Sequence, residues 1–211
     1  MSRAIEFWQT QAATIESMYL RSDVRSVEGI ERQEIIELLP SFENKIVLDL
    51  GAGIGRFTRE FAKLAAHVIA VDATAQFTDV NRDYSRAFKN ITYQTANVMD
   101  LDFAEGAFDL IFINWLLMYL DDVEVLTIAM RIKNWLKPGG VLFFRESCAA
   151  SAKSNPHQGV YYRPLSFYQK MMDPLLTLQS SGSIQAHIDH FANPFQCYWL
   201  YALLPNRATP I

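Results

Sequence analysis

The sequence has little cysteine and no long apolar segment. Only two of its 211 residues are cysteines, Cys148 and Cys197, too few for a disulfide scaffold or a four-cysteine zinc site. The longest apolar run, residues 110–120, is about half the length that a membrane span needs. That run also contains Asn114. These absences predict a protein of a reducing, cytoplasmic compartment with no membrane span.

A surplus of positive charge and a secretory signal are also missing. With 19 Lys and Arg against 23 Asp and Glu, the net charge of −4 gives no overall positive field for a nucleic-acid backbone. Residues 1–10 carry Arg3 and Glu6 and lack the long apolar stretch of a signal peptide, so we expect no export by that route. The histidines show no metal-ligand spacing with the cysteines, and the pair His187 and His190 is expected to face solvent on a strand. We predict no nucleic-acid, membrane or metal partner.

The composition is that of a folded globular protein. Hydrophobic residues make up 50% of the chain and charged residues 20%, which excludes disorder as the main state. A chain of 211 residues suits one core, and it contains no internal repeat and no low-complexity tract. We therefore predict one continuous domain over residues 1–211.

From residue 45 onward, short apolar strands alternate with segments of helical periodicity. The predicted strands cover residues 45–50, 67–72, 91–95, 108–114 and 141–146. The predicted helices between them cover residues 56–65, 74–88 and 123–136. Helices at 3–20 and 28–39 precede this region, and a helix after Pro164 to about Leu178 and strands at 184–191 and 195–203 follow it. Such alternation predicts an α/β fold, a parallel sheet with helices on both faces.

A glycine-rich turn directly follows the first predicted strand and reads DLGAGIGR over residues 49–56. Glycine lets the backbone turn tightly and lets a ligand approach where a Cβ would intrude. Dinucleotide folds favour G-x-G-x-x-G, whose third glycine would stand at Arg56, whereas here the glycines fall at every second position. Asp72 ends the second strand about 20 residues later, where a carboxylate can accept hydrogen bonds from both ribose hydroxyls of a nucleoside. Its alternative role is that of a helix N-cap.

The pattern Asp-x-Gly-x-Gly-x-Gly after a first strand resembles motif I of class I S-adenosylmethionine-dependent methyltransferases. This resemblance implies S-adenosylmethionine as the cofactor and a Rossmann-like, seven-stranded, mostly parallel sheet whose last strand is antiparallel. Asn97 stands where such enzymes often keep an aspartate for the adenine amino group, although it also suits an ordinary turn. The implied cofactor-binding residues are Asp49, Gly51, Ala52, Gly53, Gly55, Asp72, Ala73, Asn97, Val98 and Asn114.

Four longer segments resemble phosphoethanolamine N-methyltransferases, in particular the domain of plant and nematode forms that performs the first methylation. The segments are LDLGAGIGRFTREFA (48–62), FDLIFINWLLMYLDDVEV (108–125), FFRESC (143–148), and SNP (154–156) with YYRPLSFYQKM (161–171). The resemblance implies methyl transfer to the amino nitrogen of phosphoethanolamine, which begins phosphocholine synthesis. It also implies a helical lid over residues 1–40, a cofactor-binding core over 41–148 and a substrate-binding segment with the final strands over 149–211.

Two tyrosines match the positions that the family links to removal of the amine proton. In relatives, a tyrosine of the lid and a histidine after strand four serve this step. Tyr19 occupies the first position and Tyr119 the second, so half of the pair departs from the family pattern. Proton transfer to water with a positioning role for Tyr119, or a purely structural role for either tyrosine, are the alternatives.

A phosphate group needs charge-assisted donors, which arginine and tyrosine provide. By analogy with the family, Tyr162 and Arg163 are the first candidate phosphate ligands, and Tyr161 and Tyr168 are further candidates. The alternative is a surface arginine with tyrosines that only pack. Some relatives add a lysine near the C-terminus, which has no counterpart here because no lysine follows Lys170.

Two further positions are expected to shape the acceptor site. Trp115 follows strand four, where an aromatic face can contact the reacting amine and stabilise a cationic product. Arg145 and Glu146 end strand five, and the family keeps this pair. We expect them to form a buried ion pair that shapes the pocket, and the alternative is a solvated strand end.

Three other functions remain open at this point. The nearest is a methyltransferase of the same frame that acts on a different small molecule. A dinucleotide-dependent oxidoreductase is disfavoured by the glycine spacing, and a non-catalytic subunit with a methyltransferase fold is disfavoured by the intact glycine turn and Asp72. The oligomeric state is not predicted.

Overall fold

The structure, a computed structural model, describes residues 2–205. Within this range the strands form a seven-stranded sheet and a separate hairpin made by β6 and β7. The strands are β1 (Ile46–Leu50), β2 (His67–Asp72), β3 (Ile91–Thr95), β4 (Phe108–Asn114), β5 (Leu136–Ser147), β6 (Lys153–Asn155), β7 (Val160–Tyr162), β8 (Thr177–Ser183) and β9 (Gln196–Ala202).

The strand order of the sheet is β3-β2-β1-β4-β5-β9-β8. Strands β1 to β5 run parallel to their neighbours among themselves, and β9 runs antiparallel to both β5 and β8. The predicted seven-stranded, mostly parallel sheet with its last strand antiparallel is therefore confirmed. Because β1 and β4 are neighbours at the centre and their crossovers leave in opposite directions, a crevice opens at their carboxyl ends, where α/β sheets bind ligands.

Helices cover both faces of the sheet. They are α1 (Arg3–Gln9), α2 (Ile15–Tyr19), α3 (Arg25–Glu37), α4 (Thr58–Ala62), α5 (Ala75–Tyr84), α6 (Asp122–Trp135), α7 (Leu165–Met172) and α8 (Gln185–Phe191), with short 3-10 turns at Val98–Asp100 and Leu117–Tyr119. Helix α6 begins at a capping box in which Asp121 and Glu124 accept each other's backbone N–H. No helix among residues 2–205 combines the length and the apolar character needed to cross a bilayer.

Successive residues of each central strand feed two separate cores. Leu48 and Ile111 belong to the cluster that packs with α6, whereas Val47 and Phe112 belong to the cluster that packs with α3 and α4. This division follows from the period of two along a strand, which sends neighbouring side chains to opposite faces. Burial on both faces explains why these strands read as nearly continuous apolar runs.

The predicted helix over residues 3–20 is wrong in one respect, because two helices occupy it. Helix α1 ends where the Thr10 hydroxyl donates to the Phe7 carbonyl at 2.7 Å. Helix α2 begins again at Thr14, whose hydroxyl oxygen accepts from the Ser17 backbone N–H at 3.3 Å. The two threonines thus break the helix by competing for backbone groups.

The strand predicted over residues 184–191 is also wrong, since these residues form α8. The true strand is β8, which begins at Thr177, within the last two residues of the predicted preceding helix, and continues to Ser183. Helix α7 ends at Met172, two residues before Pro174, which has no N–H to continue the helical hydrogen bonds. Ile184, Ile188 and Phe191 recur at the spacing of one helix face, which is the pattern that predicts α8.

Candidate active site

A cleft opens at the carboxyl ends of β1, β2 and β4 and is called here the central cleft. Residues of α1 and α2, among them Trp8 and Met18, lie over it. Seven of the ten predicted cofactor residues line it: Gly51, Gly53, Asp72, Ala73, Asn97, Val98 and Asn114. The structure therefore brings most of the predicted cofactor residues together around one space.

Two glycines of the turn have backbone conformations that other residues rarely adopt. Gly51 and Gly53 have φ values of +72° and +55°. A Cβ on Gly53 would collide with the side chain of Met18, which lies directly over the turn. The backbone conformation favours glycine at both positions, and at Gly53 it also lets the Met18 side chain pack directly against the turn.

Asp72 organises the neighbouring loop through its carboxylate. Its Oδ2 accepts from the Gly53 N–H at 2.9 Å, and its Oδ1 accepts from the N–H and hydroxyl of Thr74 at 2.9 and 2.7 Å. Burial raises the pKa of Asp72, while the hydrogen bonds from Thr74 and Gly53 oppose that rise. Asp72 thus holds the glycine turn and the start of α5 while lining the central cleft.

The remaining predicted cofactor residues, Asp49, Ala52 and Gly55, are not among the residues that line the central cleft. Oδ2 of Asp49 accepts from the Thr58 hydroxyl at 2.6 Å behind the turn, and burial raises the pKa of Asp49 to about 7. A Cβ on Gly55 would collide with Oδ1 of Asn81. These residues support the turn from behind.

Two asparagines in the central cleft have different environments. Oδ1 of Asn97 accepts from the Met99 N–H at 3.0 Å and caps a 3-10 turn, as an ordinary turn residue does. Oδ1 of Asn114 is buried and has no hydrogen-bond partner among the described residues. A buried acceptor without a donor is costly, so Asn114 presents a ready acceptor for a ligand donor.

A second cleft, called here the side cleft, shares Met18, Trp115 and Tyr119 with the central cleft. Four predicted substrate or catalytic residues line it: Tyr19, Trp115, Tyr119 and Tyr162. Its charged and polar lining also includes Arg21, Ser147, Lys153, His187, Asn193 and Gln196, and no Asp or Glu is among its described lining residues. Arg21 pairs with Asp23 at 2.8 Å, so the positive charge of this hydrogen-bonding wall comes mainly from Lys153.

Trp115 stands between the two clefts in a constrained conformation. Its φ of +61° lies in the left-handed region, which costs a bulky residue about 1–3 kcal/mol. The indole Nε1–H donates to Oε1 of Gln196 at 2.8 Å, and Cζ of Arg145 lies 3.6 Å from the ring centroid. The surrounding contacts thus hold the ring in place despite its strained backbone.

The expected ion pair between Arg145 and Glu146 is wrong. Neighbouring residues of β5 point to opposite faces of the sheet, so Arg145 pairs with Glu31 of α3, beneath Trp115. Arg145 is fully buried and is not among the residues that line either cleft, so the structure does not place it as a direct substrate ligand. Burial lowers its pKa to about 10.

Glu146 instead holds the 3-10 turn that carries Tyr119. Its carboxylate accepts from the backbone N–H groups of Leu116, Leu117 and Met118 at 3.0, 2.7 and 3.2 Å. Burial raises the pKa of Glu146 to about 7, while these three hydrogen bonds oppose that rise. The position of Tyr119 at the border of the two clefts therefore depends on Glu146.

Glu31 connects the buried arginines to α2. Its Oε1 pairs with Arg145 and its Oε2 with Nη2 of Arg56 at 3.1 Å. Burial alone would raise the pKa of Glu31, but Arg145 and Arg56 hold it at about 2. Arg56 in turn donates to the Tyr19 hydroxyl at 2.6 Å. The network thus joins α3, β5 and the glycine turn to the side cleft.

Three predicted phosphate ligands lie outside the side cleft lining. The Arg163 guanidinium donates to Asp122 and to the carbonyls of Leu117 and Leu120. Tyr161 is exposed, and Tyr168 is fully buried in the core beside Phe144. Arg163 therefore stabilises the turn around Tyr119. Of the four predicted phosphate ligands, only Tyr162 lines the side cleft.

Sequence reasoning missed several residues of the side cleft, foremost His187. It was expected on a solvent-facing strand, yet it is buried on α8, where its ring stacks on Tyr19. Arg21 and Lys153 lie in segments without a motif. The helical spacing of apolar residues over 184–191 is the sequence signal that indicates a buried position for His187. Among residues 2–205 there is no group of three or more His, Cys, Asp or Glu side chains arranged to hold a metal ion.

The comparisons with known proteins agree on one family. Residues 47–140 match a family described as a methyltransferase domain. Phosphoethanolamine N-methyltransferase 1 of Arabidopsis thaliana is 38% identical, over 92% of this chain and 43% of its own length. Phosphoethanolamine N-methyltransferase 1 of Caenorhabditis elegans is 30% identical, over 94% of this chain and 47% of its own length. The chain thus spans less than half of these curated relatives.

A solved structure also covers nearly the whole chain. Haemonchus contortus phosphoethanolamine N-methyltransferase 1, in complex with phosphoethanolamine and S-adenosylhomocysteine, superposes with a TM-score of 0.89 at 29% identity. The match covers 99% of this chain and 50% of that chain. The fold described above therefore recurs in a ligand-bound relative.

Proposed function

Because the chain belongs to the S-adenosylmethionine-dependent methyltransferases, we propose that it transfers a methyl group from S-adenosylmethionine to the amino nitrogen of phosphoethanolamine. The names of its relatives support this acceptor, and the chain matches about half of their length. The observation that carries the proposal is the side cleft, which adjoins the central cleft and holds Lys153 beside Tyr162 with no acidic side chain among its described lining residues.

The residues of the central cleft fit the cofactor. When bound, it supplies an electrophilic methyl group on a sulfonium, so the chain needs only to bind and orient it. The unpartnered Oδ1 of Asn114 is suited to the cofactor's ammonium group. Three protein donors already occupy the Asp72 carboxylate, which leaves about one acceptor position for a ribose hydroxyl. Gly51 and Gly53 give the turn beside this space its left-handed backbone.

The side cleft suits an acceptor with a phosphate at one end and an amine at the other. Lys153 lies with its Nζ 5.4 Å from the centroid of the Tyr162 ring, so a cation and a phenol hydroxyl occur together at this wall. Such donors match a phosphate. Trp115 and Tyr119, which border both clefts, then face the amine end nearest to the methyl group.

Tyr119 is suited to hold the amine and not to ionise. Burial and the nearby Glu146 raise the pKa of Tyr119 far above its usual value. A phenolate is therefore inaccessible at neutral pH, and the neutral hydroxyl oxygen orients the amine as a hydrogen-bond acceptor. We assign removal of the amine proton to water, in agreement with the departure of Tyr119 from the family's histidine.

The test is to incubate the protein with S-adenosylmethionine carrying a ¹³C-labelled methyl group and follow the acceptor by mass spectrometry. Phosphoethanolamine is expected to gain one or more labelled methyl groups. Ethanolamine, which lacks the phosphate, is the matched control and is expected to react far more slowly. Equal rates for the two would contradict the phosphate assignment.

The same experiment separates the remaining alternatives. Formation of S-adenosylhomocysteine with another amine in place of phosphoethanolamine would point to a different small-molecule acceptor. Cofactor binding without any turnover would point to a non-catalytic subunit. A dinucleotide-dependent oxidoreductase conflicts with the family match and with the glycine spacing.

A further inference from the structure

His187 is a buried histidine that the proposed mechanism does not yet use. It lies on α8 and lines the side cleft, and its ring stacks at 6.1 Å on that of Tyr19 with the planes 3° apart. The Trp115 ring lies edge-on at the same centroid distance. His187 therefore faces the aromatic residues that border the proposed acceptor.

The hydrogen bond behind the ring determines where His187 carries its proton. Nη2 of Arg145 lies 2.9 Å from Nε2 of His187. Oε1 of Glu31 is farther from Nε2, at 3.6 Å, which is too long for a hydrogen bond. A guanidinium can only donate, so the shorter contact with Arg145 favours a lone pair on Nε2 and the ring hydrogen on Nδ1. Glu31 holds Arg145 in this position through its own ion pair. The buried pair thus selects one tautomer of the histidine.

The opposite ring nitrogen is free to bind a ligand. Among residues 2–205, Nδ1 of His187 has no hydrogen-bond partner, whereas Nδ1 of His190 bonds to the Ala186 carbonyl at 2.9 Å. Burial lowers the pKa of His187, and the nearby Glu31 carboxylate partly opposes that decrease. His187 is therefore a neutral donor whose N–H belongs to a ring that lines the side cleft.

We propose that His187 donates its Nδ1 hydrogen to a phosphate oxygen of the acceptor, and that Arg145 and Glu31 act as positioning residues that fix the required tautomer. A neutral donor binds the phosphate without adding a positive charge that would repel the ammonium of the incoming amine. Naming the acceptor rests on the proposed function, but the tautomer and the anion contact do not.

The first test compares His187→Phe with His187→Gln, which retains an N–H donor. Loss of a hydrogen bond to a charged group is worth about a tenfold change or more in binding. His187→Phe is expected to raise KM for phosphoethanolamine roughly tenfold with little change in kcat or in the affinity for S-adenosylhomocysteine. His187→Gln is expected to recover most of that loss.

His190→Phe is the matched control, because His190 lies on the same helix, is exposed and is not among the residues that line either cleft. It is expected to behave as the wild type. An unchanged KM in His187→Phe, or a fall in kcat with KM unchanged, would overturn the proposal.

A second measurement keeps the inference testable if the variants do not fold or if phosphoethanolamine is not the acceptor. Nitrogen NMR of the wild-type protein with ¹⁵N-labelled histidine reports the tautomer of His187. The ring is expected to carry its hydrogen on Nδ1. Its ¹⁵N resonances are expected to shift when inorganic phosphate is added in the presence of S-adenosylhomocysteine. A hydrogen on Nε2, or no response to phosphate, would overturn the proposal. A response from a protein that does not methylate phosphoethanolamine would keep the contact and reject the acceptor.

Discussion

The hydroxyl of Tyr19 accepts a hydrogen bond of 2.6 Å from Nη2 of Arg56, and both side chains are buried. Arg56 directly follows the glycine turn, and Tyr19 is the last residue of α2. The bond therefore ties the helix over the central cleft to the turn beneath it. Met18, packed against Gly53, provides a second contact between the same elements.

Replacing Tyr19 by Phe tests this tie, because the ring stays and only the hydroxyl is lost. Hydrogen bonds to charged groups contribute about 1.5–3 kcal/mol, and Arg56 keeps its bonds to Glu28 and Glu31. We expect the free energy of unfolding to fall by about 1–2 kcal/mol. We also expect the amides of residues 15–19 to exchange faster in hydrogen-exchange experiments. Tyr84→Phe, an exposed control, is expected to change neither quantity.

Substitution of Arg163 is expected to lower stability and kcat, whereas substitution of Lys153 is expected to raise KM. Arg163→Ala removes the donors to the Leu117 and Leu120 carbonyls, so we expect unfolding to become easier by about 2–4 kcal/mol. Because those carbonyls flank Tyr119, the kinetic loss is expected in kcat.

Lys153→Ala is expected to leave the free energy of unfolding unchanged and to raise KM for phosphoethanolamine about fivefold. Denaturant unfolding and steady-state kinetics check both, and a selective rise in KM for Arg163→Ala would contradict the structural role.

Asp49 is expected to make stability depend on pH. Burial raises its pKa from an ordinary value of 3.8 to about 7, so between these values the folded state binds more protons than the unfolded chain. The stability it contributes is complete below the lower value and is lost as the pH rises through the higher one. The pKa of Glu146 is raised in the same direction, so a comparison with Asp49→Asn is needed to isolate Asp49.

That comparison measures the free energy of unfolding of both proteins without cofactor, from about pH 5 to about pH 8. The wild type is expected to lose stability relative to Asp49→Asn over this interval, by on the order of 3 kcal/mol. A constant difference, or one that grows in the other direction, would show that the Asp49 carboxyl is already charged at the lower pH.

The central strands, and the gathering of most candidate cofactor residues around one cleft, could be predicted from the sequence because local patterns encode them. A buried parallel strand is a short apolar run, and the glycine turn with Asp72 follows from the backbone geometry at the end of such a strand. The acceptor side could not be predicted in the same way. Whether Arg163 meets a phosphate or the carbonyls of Leu117 and Leu120 depends on how distant segments pack.

Two errors had signals that were present in the sequence. The period of two along β5 already separates Arg145 from Glu146, so an ion pair between adjacent strand residues was a poor expectation. The spacing of Ile184, Ile188 and Phe191 already indicated a helix, which places His187 inside. The partner of Arg145 had no such local signal, because Glu31 lies 114 residues away in sequence.

Asn114 offers a test that separates stability from binding. Its buried Oδ1 lacks a partner within the described chain, so the protein without cofactor bears the cost of that atom. Asn114→Leu keeps a side chain of similar size and removes the polar atom. We expect its free energy of unfolding to be unchanged or about 1 kcal/mol higher than that of the wild type.

The same change is expected to weaken binding of S-adenosylmethionine by roughly tenfold or more, because the acceptor for a charged ammonium group is lost. Calorimetric titration measures the affinity, and denaturant unfolding of the same sample measures the stability. Asn97→Leu is the useful comparison, since Oδ1 of Asn97 already caps a turn and its loss is expected to destabilise the fold. If Asn114→Leu were less stable and bound the cofactor as tightly as the wild type, the role of Asn114 would be structural, and the ammonium would have to bind elsewhere in the central cleft.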